Sequence, residues 1–364
     1  MSNSNKRIAV VLASFRVGGA ERAMVNLAIG FHQKAMNVQL VVVEKKRDLY
    51  SFLHEEIPVH ELQKKRARFS LFAFRKYLIR ESPDVLIVAQ THVQIMVLLS
   101  ILLTRWKGHI ILNEQSTFSS NTTQKFLRFL ARVLFRRADA ITVVSRGSSV
   151  DFASIFPSLK RKISVIPNPV FSEDILNSKE EDVDHPFFHP KNFPIVLAVG
   201  RLSPEKNYTY LLQAFSHVLK KREARLIILG EGSEKKELLD FAKKHDILPY
   251  ISLPGNVKNP YAFMSRCDVF TLSSTYEGLP SVLIEALACG CNIVSVDCQH
   301  GPSEILNGGQ LGILISQGNP EKYAEEIINL FKAKHNLKEK LNRAKDFSVE
   351  RITEMYSDLI NRLD

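Results

Sequence analysis

The chain has 364 residues, 45% of them hydrophobic and 24% charged. This balance belongs to a folded protein and excludes a disordered chain, a collagen-like fibre and a polytopic membrane protein, while roughly 150 residues per domain predicts two domains. The 49 Lys and Arg exceed the 38 Asp and Glu, and the excess is one-sided: residues 1–185 carry +10 and residues 186–364 carry +1. Such asymmetry points to an anionic partner (nucleic acid, an anionic membrane surface or a phosphorylated substrate), with plain solubility as the alternative.

Apolar, β-rich runs at 8–13, 38–43, 85–89, 109–113, 140–145 and 162–166 predict strands, with helical patterns between them at 21–33 and 122–137. The first run is too short for a secretory signal, and no small-residue cleavage site follows it. Residues 88–104 are nearly uncharged. Their core, 95–103, is shorter than the roughly 20 residues a membrane span needs, so a buried helix is expected. A shallow interfacial helix is the alternative, because Arg105 and Lys107 flank Trp106. Residues 171–193 are polar, acidic and proline-bearing and predict an interdomain linker. The alternation then restarts, with strands at 195–199, 225–229, 251–253, 269–272, 292–296 and 311–315. Helices are expected at 208–221, 233–244, 260–266, 279–288 and 320–333, and the tail after 337 reads as helix to the end.

Continuous apolar strands separated by helices predict parallel sheets covered on both faces. The expected fold class is therefore α/β, with two doubly wound domains. Ligands of such sheets bind at the carboxyl ends of the strands, and two facing domains would place the site in the cleft between them. Cys267, Cys289, Cys291 and Cys298 form no zinc-spaced pairs, and Cys289 lies too close to Cys291 for an ordinary disulfide. Free buried thiols in a reducing compartment are expected.

Three motifs carry chemistry. Gly18 and Gly19 follow the first strand and open the first helix, where a ligand could approach the backbone; a tight structural turn explains them equally well. Arg201 and Lys206 follow the strand that ends at Gly200. An arginine fork and a lysine point charge there can neutralise a diphosphate, or they are two solvated loop cations. Glu277 and Glu285 are separated by seven residues, with Gly278, Leu279 and Pro280 marking a turn and a helix start. At 1.5 Å per residue the carboxylates would stand roughly 8–12 Å apart, at or beyond the spacing of most glycoside hydrolase acid–base pairs. They suit two hydroxyl-bearing parts of one extended ligand, and N–H groups at 278–281 could hold an anion.

Taken together, the chain resembles a retaining glycosyltransferase of family 4 with the GT-B fold. The resemblance rests on Gly18-Gly19, on Gly200-Arg201 with Lys206, and on Glu277 with Glu285, in that order. Val165-Ile166-Pro167-Asn168-Pro169, Gly230-Glu231-Gly232 and Leu253-Pro254-Gly255-Asn256-Val257 add to it. Asp297 to Ile305 is similar to a bacterial subset that builds surface or lipid-linked glycans, in the style of N-acetylgalactosamine transferases.

The resemblance implies two Rossmann-like domains facing a central cleft: an acceptor domain at 1–175, a donor domain at 190–346, and a helix at about 347–364 packing back on the first. It implies that Arg201 and Lys206 bind the donor diphosphate, Glu285 the ribose and Glu277 the transferred sugar. The loop at Val257 would meet the nucleobase, and Gly19 the phosphate. Many relatives carry Glu-His after the fourth strand where this chain has Glu114-Gln115. Gln115 would orient a hydroxyl but cannot titrate near pH 7; His92 is a nearby alternative. The donor, a UDP-sugar, is a substrate, and neither cofactor nor metal is expected because cationic side chains take the metal's place.

Two stretches concentrate the positive charge. Residues 64–80 interleave cations with Phe69, Leu71, Phe72, Phe74, Tyr77 and Leu78, and Lys125, Arg128, Arg132 and Arg136 would line one helix face. Basic amphipathic helices lie on anionic membranes, although solvated helix faces over an ordinary core are the simpler reading. The expectation is a cytoplasmic enzyme, peripheral on the inner membrane face, acting on a polyprenyl-diphosphate-linked or other glycan. A UDP-sugar epimerase of the same fold is the rival enzyme. A nucleic-acid binder is the rival non-enzyme, disfavoured because no recognition motif accompanies the cations.

Overall fold

The computed structural model describes residues 6–15, 18–44, 56–62, 70–115, 118, 125–333 and 336–363. It divides into one unit of Met1–Val170 with Phe347–Asp364 and a second of Phe171–Asp346. Each is built on its own parallel sheet.

The first sheet contains β1 (Ile8–Leu12), β2 (Val38–Val42), β3 (Val59–Glu61), β4 (Val85–Ala89), β5 (His109–Glu114), β6 (Ala140–Val143) and β7 (Ile163–Val165). Their order is β3-β2-β1-β4-β5-β6-β7, and every pairing is parallel. Every residue of β1, β2 and β4 is buried. The two-residue pleat sends Ile8, Val10 and Leu12 into one core and Ala9 and Val11 into the other. This two-sided burial is why the strands read as unbroken apolar runs.

Helices α1 (Gly19–Gln33), α2 (Leu71–Glu81), α3 (Thr91–Leu102), α4 (Lys125–Leu134) and α5 (Arg146–Ile155) belong to this unit. Helix α3 is buried from Val93 to Leu98, as expected of a core helix. Trp106 is anchored within the unit: its indole N–H donates to the Pro83 carbonyl at 2.7 Å. The expected helix at 122–137 is shorter, with a 3-10 turn over Phe135–Arg137, and residues 122–124 lie outside the described part.

The second sheet contains β8 (Ile195–Val199), β9 (Arg225–Leu229), β10 (Ile251–Gly255), β11 (Val269–Leu272), β12 (Ile293–Val296) and β13 (Ile313–Ile315). Its order is β10-β9-β8-β11-β12-β13, again all parallel. Helices α6 (Glu173–Ser178), α7 (Tyr208–Lys221), α8 (Lys235–Lys244), α9 (Pro260–Arg266), α10 (Ser281–Ala288), α11 (Pro302–Ile305), α12 (Pro320–Leu330) and α13 (Leu337–Lys345) accompany it. All four cysteines are free and buried in this unit.

Two expectations need correction. Residues 171–193 are not a free linker but part of the second unit. Arg266 Nη2 meets the Asp182 carboxylate at 3.4 Å, His185 Nε2 lies 2.9 Å from Ser252 Oγ, and Phe188 is buried. The tail is not one helix either. It breaks after α13, and Ser348 caps α14 (Val349–Asn361) by accepting from the Arg351 N–H at 3.3 Å. Helix α14 packs on α1, where a Cβ at Gly30 would stand 2.0 Å from Thr353 Oγ1. Only glycine permits that approach.

Candidate functional site

Glycines shape the carboxyl edge of the second sheet. A Cβ at Gly230, whose φ is 144°, would lie 2.0 Å from the Gly200 carbonyl oxygen, and one at Gly232 would lie 2.1 Å from that of Leu202. The loops after β8 and β9 therefore run backbone against backbone, joined by the Leu202 N–H to the Glu231 carbonyl at 3.0 Å. This contact sets the path of the chain through Arg201, whose side chain is exposed.

Beyond Arg201 a 3-10 turn, Pro204–Lys206, delivers Lys206. The loop after β11 clamps the turn: Ser273 Oγ donates to the Lys206 carbonyl at 2.7 Å, and the Thr275 N–H donates to the Glu205 carbonyl at 2.8 Å. Lys206 Nζ then meets Glu277 Oε1 at 2.5 Å, and Ser274 Oγ donates to the same oxygen at 2.6 Å. The two charged side chains are only 18% and 13% exposed, so water screens this pair less than a surface pair. Neutral groups surround it. Burial, and then the Glu277 and Glu205 carboxylates, raise the Tyr208 phenol well above its ordinary pKa. Burial and then Glu277 push the Cys298 thiol up to about 12, against the opposing effect of Lys206.

Glu277 leads into Gly278, Leu279 and Pro280, all buried, and α10 begins at Ser281 rather than at 279. Gly301, at φ 93°, closes over this turn; a Cβ there would meet Pro280 Cδ at 2.6 Å. Pro280, at the N-cap of α10, makes no side-chain capping bond. Glu285 lies in its second turn, as expected, and accepts from the Tyr261 hydroxyl at 3.4 Å. Tyr261 is the second residue of α9, which Asn259 caps by accepting from the Tyr261 and Ala262 N–H groups. Half-buried Val257 lies in the loop before that cap.

Arg201, Lys206, Val257, Glu277, Gly278, Leu279, Pro280 and Glu285 thus occupy the loops and first helical turns at the carboxyl edge of one sheet, and Lys206 and Glu277 touch. Gly18, Gly19 and Gln115 belong to the first unit. Gly18 is extended at φ −163°, a conformation open to any residue, and exposed Gly19 begins α1. Gln115 follows β5 and donates through Nε2 to Asn113 Oδ1. His92, the second residue of α3, keeps an exposed surface, while partial burial lowers its imidazole below the ordinary pKa. Residue 116 lies outside the described part.

Sequence reasoning missed Ser273, Ser274, Tyr208 and Tyr261. The run Ser273-Ser274-Thr275 directly after a predicted strand is the signal that could have found the clamp.

Residues 17–173 match the family described as Glycosyltransferase Family 4, and residues 179–346 match Glycosyl transferases group 1. The chain thus carries a family 4 and a group 1 glycosyltransferase domain. It is similar to an N-acetylgalactosamine-N,N'-diacetylbacillosaminyl-diphospho-undecaprenol 4-alpha-N-acetylgalactosaminyltransferase of Campylobacter jejuni, at 30% identity over 66% of this chain and 65% of the relative. An uncharacterized glycosyltransferase of Methanocaldococcus jannaschii is 30% identical over 53% of this chain and 48% of its own length. The match therefore spans less than two thirds of both relatives. The amylovoran biosynthesis glycosyltransferase AmsD of Erwinia amylovora is 28% identical over 94% of this chain and 96% of its own. Among solved structures, Anabaena HepE in complex with UDP and glucose aligns with a TM-score of 0.82 at 17% identity, over 98% of this chain and 100% of that one. At that identity the likeness concerns the fold: each unit is a Rossmann-like domain of the GT-B class.

Proposed function

We propose that the chain is a retaining, metal-independent hexosyltransferase. It moves a sugar from a nucleotide-sugar, UDP-N-acetylhexosamine or UDP-hexose, to a hydroxyl of a lipid-linked or surface glycan. The observation that carries this reading is the shielded Lys206–Glu277 pair, which joins the loop that follows Arg201 to the loop that leads into α10. Arg201 and Lys206 neutralise the donor diphosphate, which weakens the sugar–phosphate bond and lets oxocarbenium character develop. They supply the charge that a metal ion would otherwise supply. Glu277, fixed by Ser274, holds the transferred sugar, and Glu285 accepts from the ribose hydroxyls. The acceptor hydroxyl attacks from the face the diphosphate leaves.

The Campylobacter and Erwinia relatives support a lipid-linked or polysaccharide acceptor. A surface of the first unit supports peripheral attachment to an anionic membrane on its cytoplasmic face. Phe72 and Ile79 on α2, Leu102 and Leu103 at the end of α3, and Phe129 and Val133 on α4 are exposed. Arg75, Lys76 and Arg80 on α2, Arg105 after α3 and Arg132 on α4 are also exposed, and α3 packs against both α2 and α4. Apolar side chains ringed by cations suit the interface of an anionic bilayer. Residues 64–69 of the basic stretch lie outside the described part, and among the described residues no helix is long and apolar enough to cross a membrane.

The test is turnover of a panel of sugar nucleotides with a polyprenyl-diphosphate-linked glycan, with and without EDTA. The expected product keeps the anomeric configuration of the donor, at a rate EDTA leaves unchanged. An inverted product, loss of activity with EDTA, or an epimerised sugar nucleotide formed without acceptor would overturn the reading.

A further inference from the structure

The stretch Asp297 to Ile305 runs from the end of β12 through α11, at the carboxyl edge of the second sheet. Its path is fixed at both ends. The Asp297 N–H donates to the Ile315 carbonyl at 2.8 Å, and Arg343 donates to the Glu304 and Ile305 carbonyls at 2.7 and 3.1 Å. Between these anchors the chain follows the turn that carries Glu277. Gln299 forms a parallel bridge with Tyr276, the residue before Glu277. A Cβ at Gly301 would stand 3.1 Å from the Gly278 carbonyl oxygen. His300 lies between these two contacts.

The His300 backbone is left-handed, at φ 68°. Few residues other than glycine take that conformation; asparagine, aspartate and histidine take it most readily. A turn that needed only this backbone would be served as well by asparagine. The imidazole supplies something more. His300 is half-buried, yet its Nε2 atom is shut off from water and has no hydrogen-bond partner among the described residues. Nε2 is the outer nitrogen of the ring, the polar atom of this side chain that reaches furthest from the backbone. A polar atom buried without a partner costs more than an ordinary hydrogen bond returns. In a loop pinned at both ends beside Glu277, it calls for a partner that arrives with the ligand.

We propose that His300 is a specificity-determining residue of the transferase: its Nε2 forms a hydrogen bond with a hydroxyl of the sugar that Glu277 holds. The proposal rests on the glycosyltransferase reading and deepens it. An imidazole nitrogen donates or accepts according to the ring's tautomer. A hydroxyl satisfies it either way, whereas a phosphate oxygen can only accept. The diphosphate is already answered by Arg201 and Lys206. His300 thus gives the sugar a second contact from the same edge, beside the carboxylate of Glu277.

The test uses the full chain and nucleotide-sugars in which each hydroxyl of the transferred sugar is replaced in turn by hydrogen. The wild type is expected to lose about tenfold in kcat/KM with one of these deoxy donors. His300→Phe keeps a ring but has no nitrogen. It should lose about tenfold on the complete donor and less than about twofold more on that deoxy donor, while the penalties at other positions stay where they are. His300→Asn suits the left-handed backbone, but its amide falls short of the Nε2 position. It should keep the wild-type Tm and lose the same selectivity. A tenfold penalty retained on that deoxy donor in either variant would overturn the inference, and the transferase reading would stand because the wild type turns over the complete donor. Failure of the wild type to turn over any nucleotide-sugar would overturn the transferase reading, and this inference with it.

Discussion

The two units share a strand order that runs outward from their first strands, yet their charge is very different. The first carries 28 Lys and Arg against 15 Asp and Glu, and the second carries 21 against 23. The cations proposed for the chemistry, Arg201 and Lys206, lie in the unit with no positive excess. Net charge therefore marks a surface, whereas a reactive site depends on where individual charges are placed: Arg201 is exposed and Lys206 is largely shielded. Lys206 is clamped through its carbonyl by Ser273 and paired with a shielded carboxylate, while the cations on α2 and α4 are mostly solvated and act through number.

Removing one charge from the second unit should cost most. In Lys206→Ala the leaving diphosphate loses a cation and Glu277 loses its ion-pair partner; turnover should fall by about 10²–10³, the range seen when one stabilising donor is deleted. Steady-state kinetics on the wild type's own donor measures this, and a fall of less than tenfold would make Lys206 an ordinary loop cation. The next largest effect separates the two glycine edges. Gly230→Ala should lose roughly 1–3 kcal/mol in urea unfolding, since the left-handed backbone and the Gly200 carbonyl both oppose a Cβ. Gly18→Ala should change stability little, because its backbone is extended. Equal losses would contradict the distinction.

Smaller still is the membrane contribution. Arg132→Glu should weaken sedimentation with anionic vesicles several-fold, at about 1 kcal/mol for each cation near the surface. Lys243→Glu, at an exposed position on α8 of the second unit, should not. Vesicle binding that ignores both would remove the surface from the account. The smallest effect is a pH slope. The folded chain holds the Cys298 proton to about 12, above the ordinary 9.0, so the stability this thiol contributes is complete below pH 9 and is lost as the pH rises toward 12. Cys298→Ala should flatten that alkaline slope in unfolding measured against pH.

Sequence pattern located the interior strands well. β4, β8 and β9 fall on the expected residues because two-sided burial leaves an apolar run with sharp ends. β3 was missed, since three half-buried residues, Val59, His60 and Glu61, offer no such run. The acidic stretch at 171–193 looked like a linker because its composition was polar; its salt bridge to Arg266 and its buried Phe188 depend on partners about 75 or more residues away. The charged candidate residues stand out in sequence as Lys and Glu near glycine turns, but spacing alone leaves each as a ligand contact or a solvated charge, and their proposed roles come from the resemblance. The hydroxyls that position them do not stand out: serine and threonine are common everywhere, and Ser273 and Ser274 gain meaning only where β11 ends. Tyr356 had no local signal, for its hydrogen bond with Asn113 exists only once α14 has folded back onto the first sheet.

The central claim is that the carboxyl edge of the second sheet binds a nucleotide-sugar through Lys206 and Glu285. It is tested most directly by thermal unfolding of the wild type, Lys206→Ala and Glu285→Ala with and without a panel of sugar nucleotides. At least one nucleotide-sugar should raise the wild-type Tm and leave both variants where they stand without ligand. The same rise in both variants would contradict the claim.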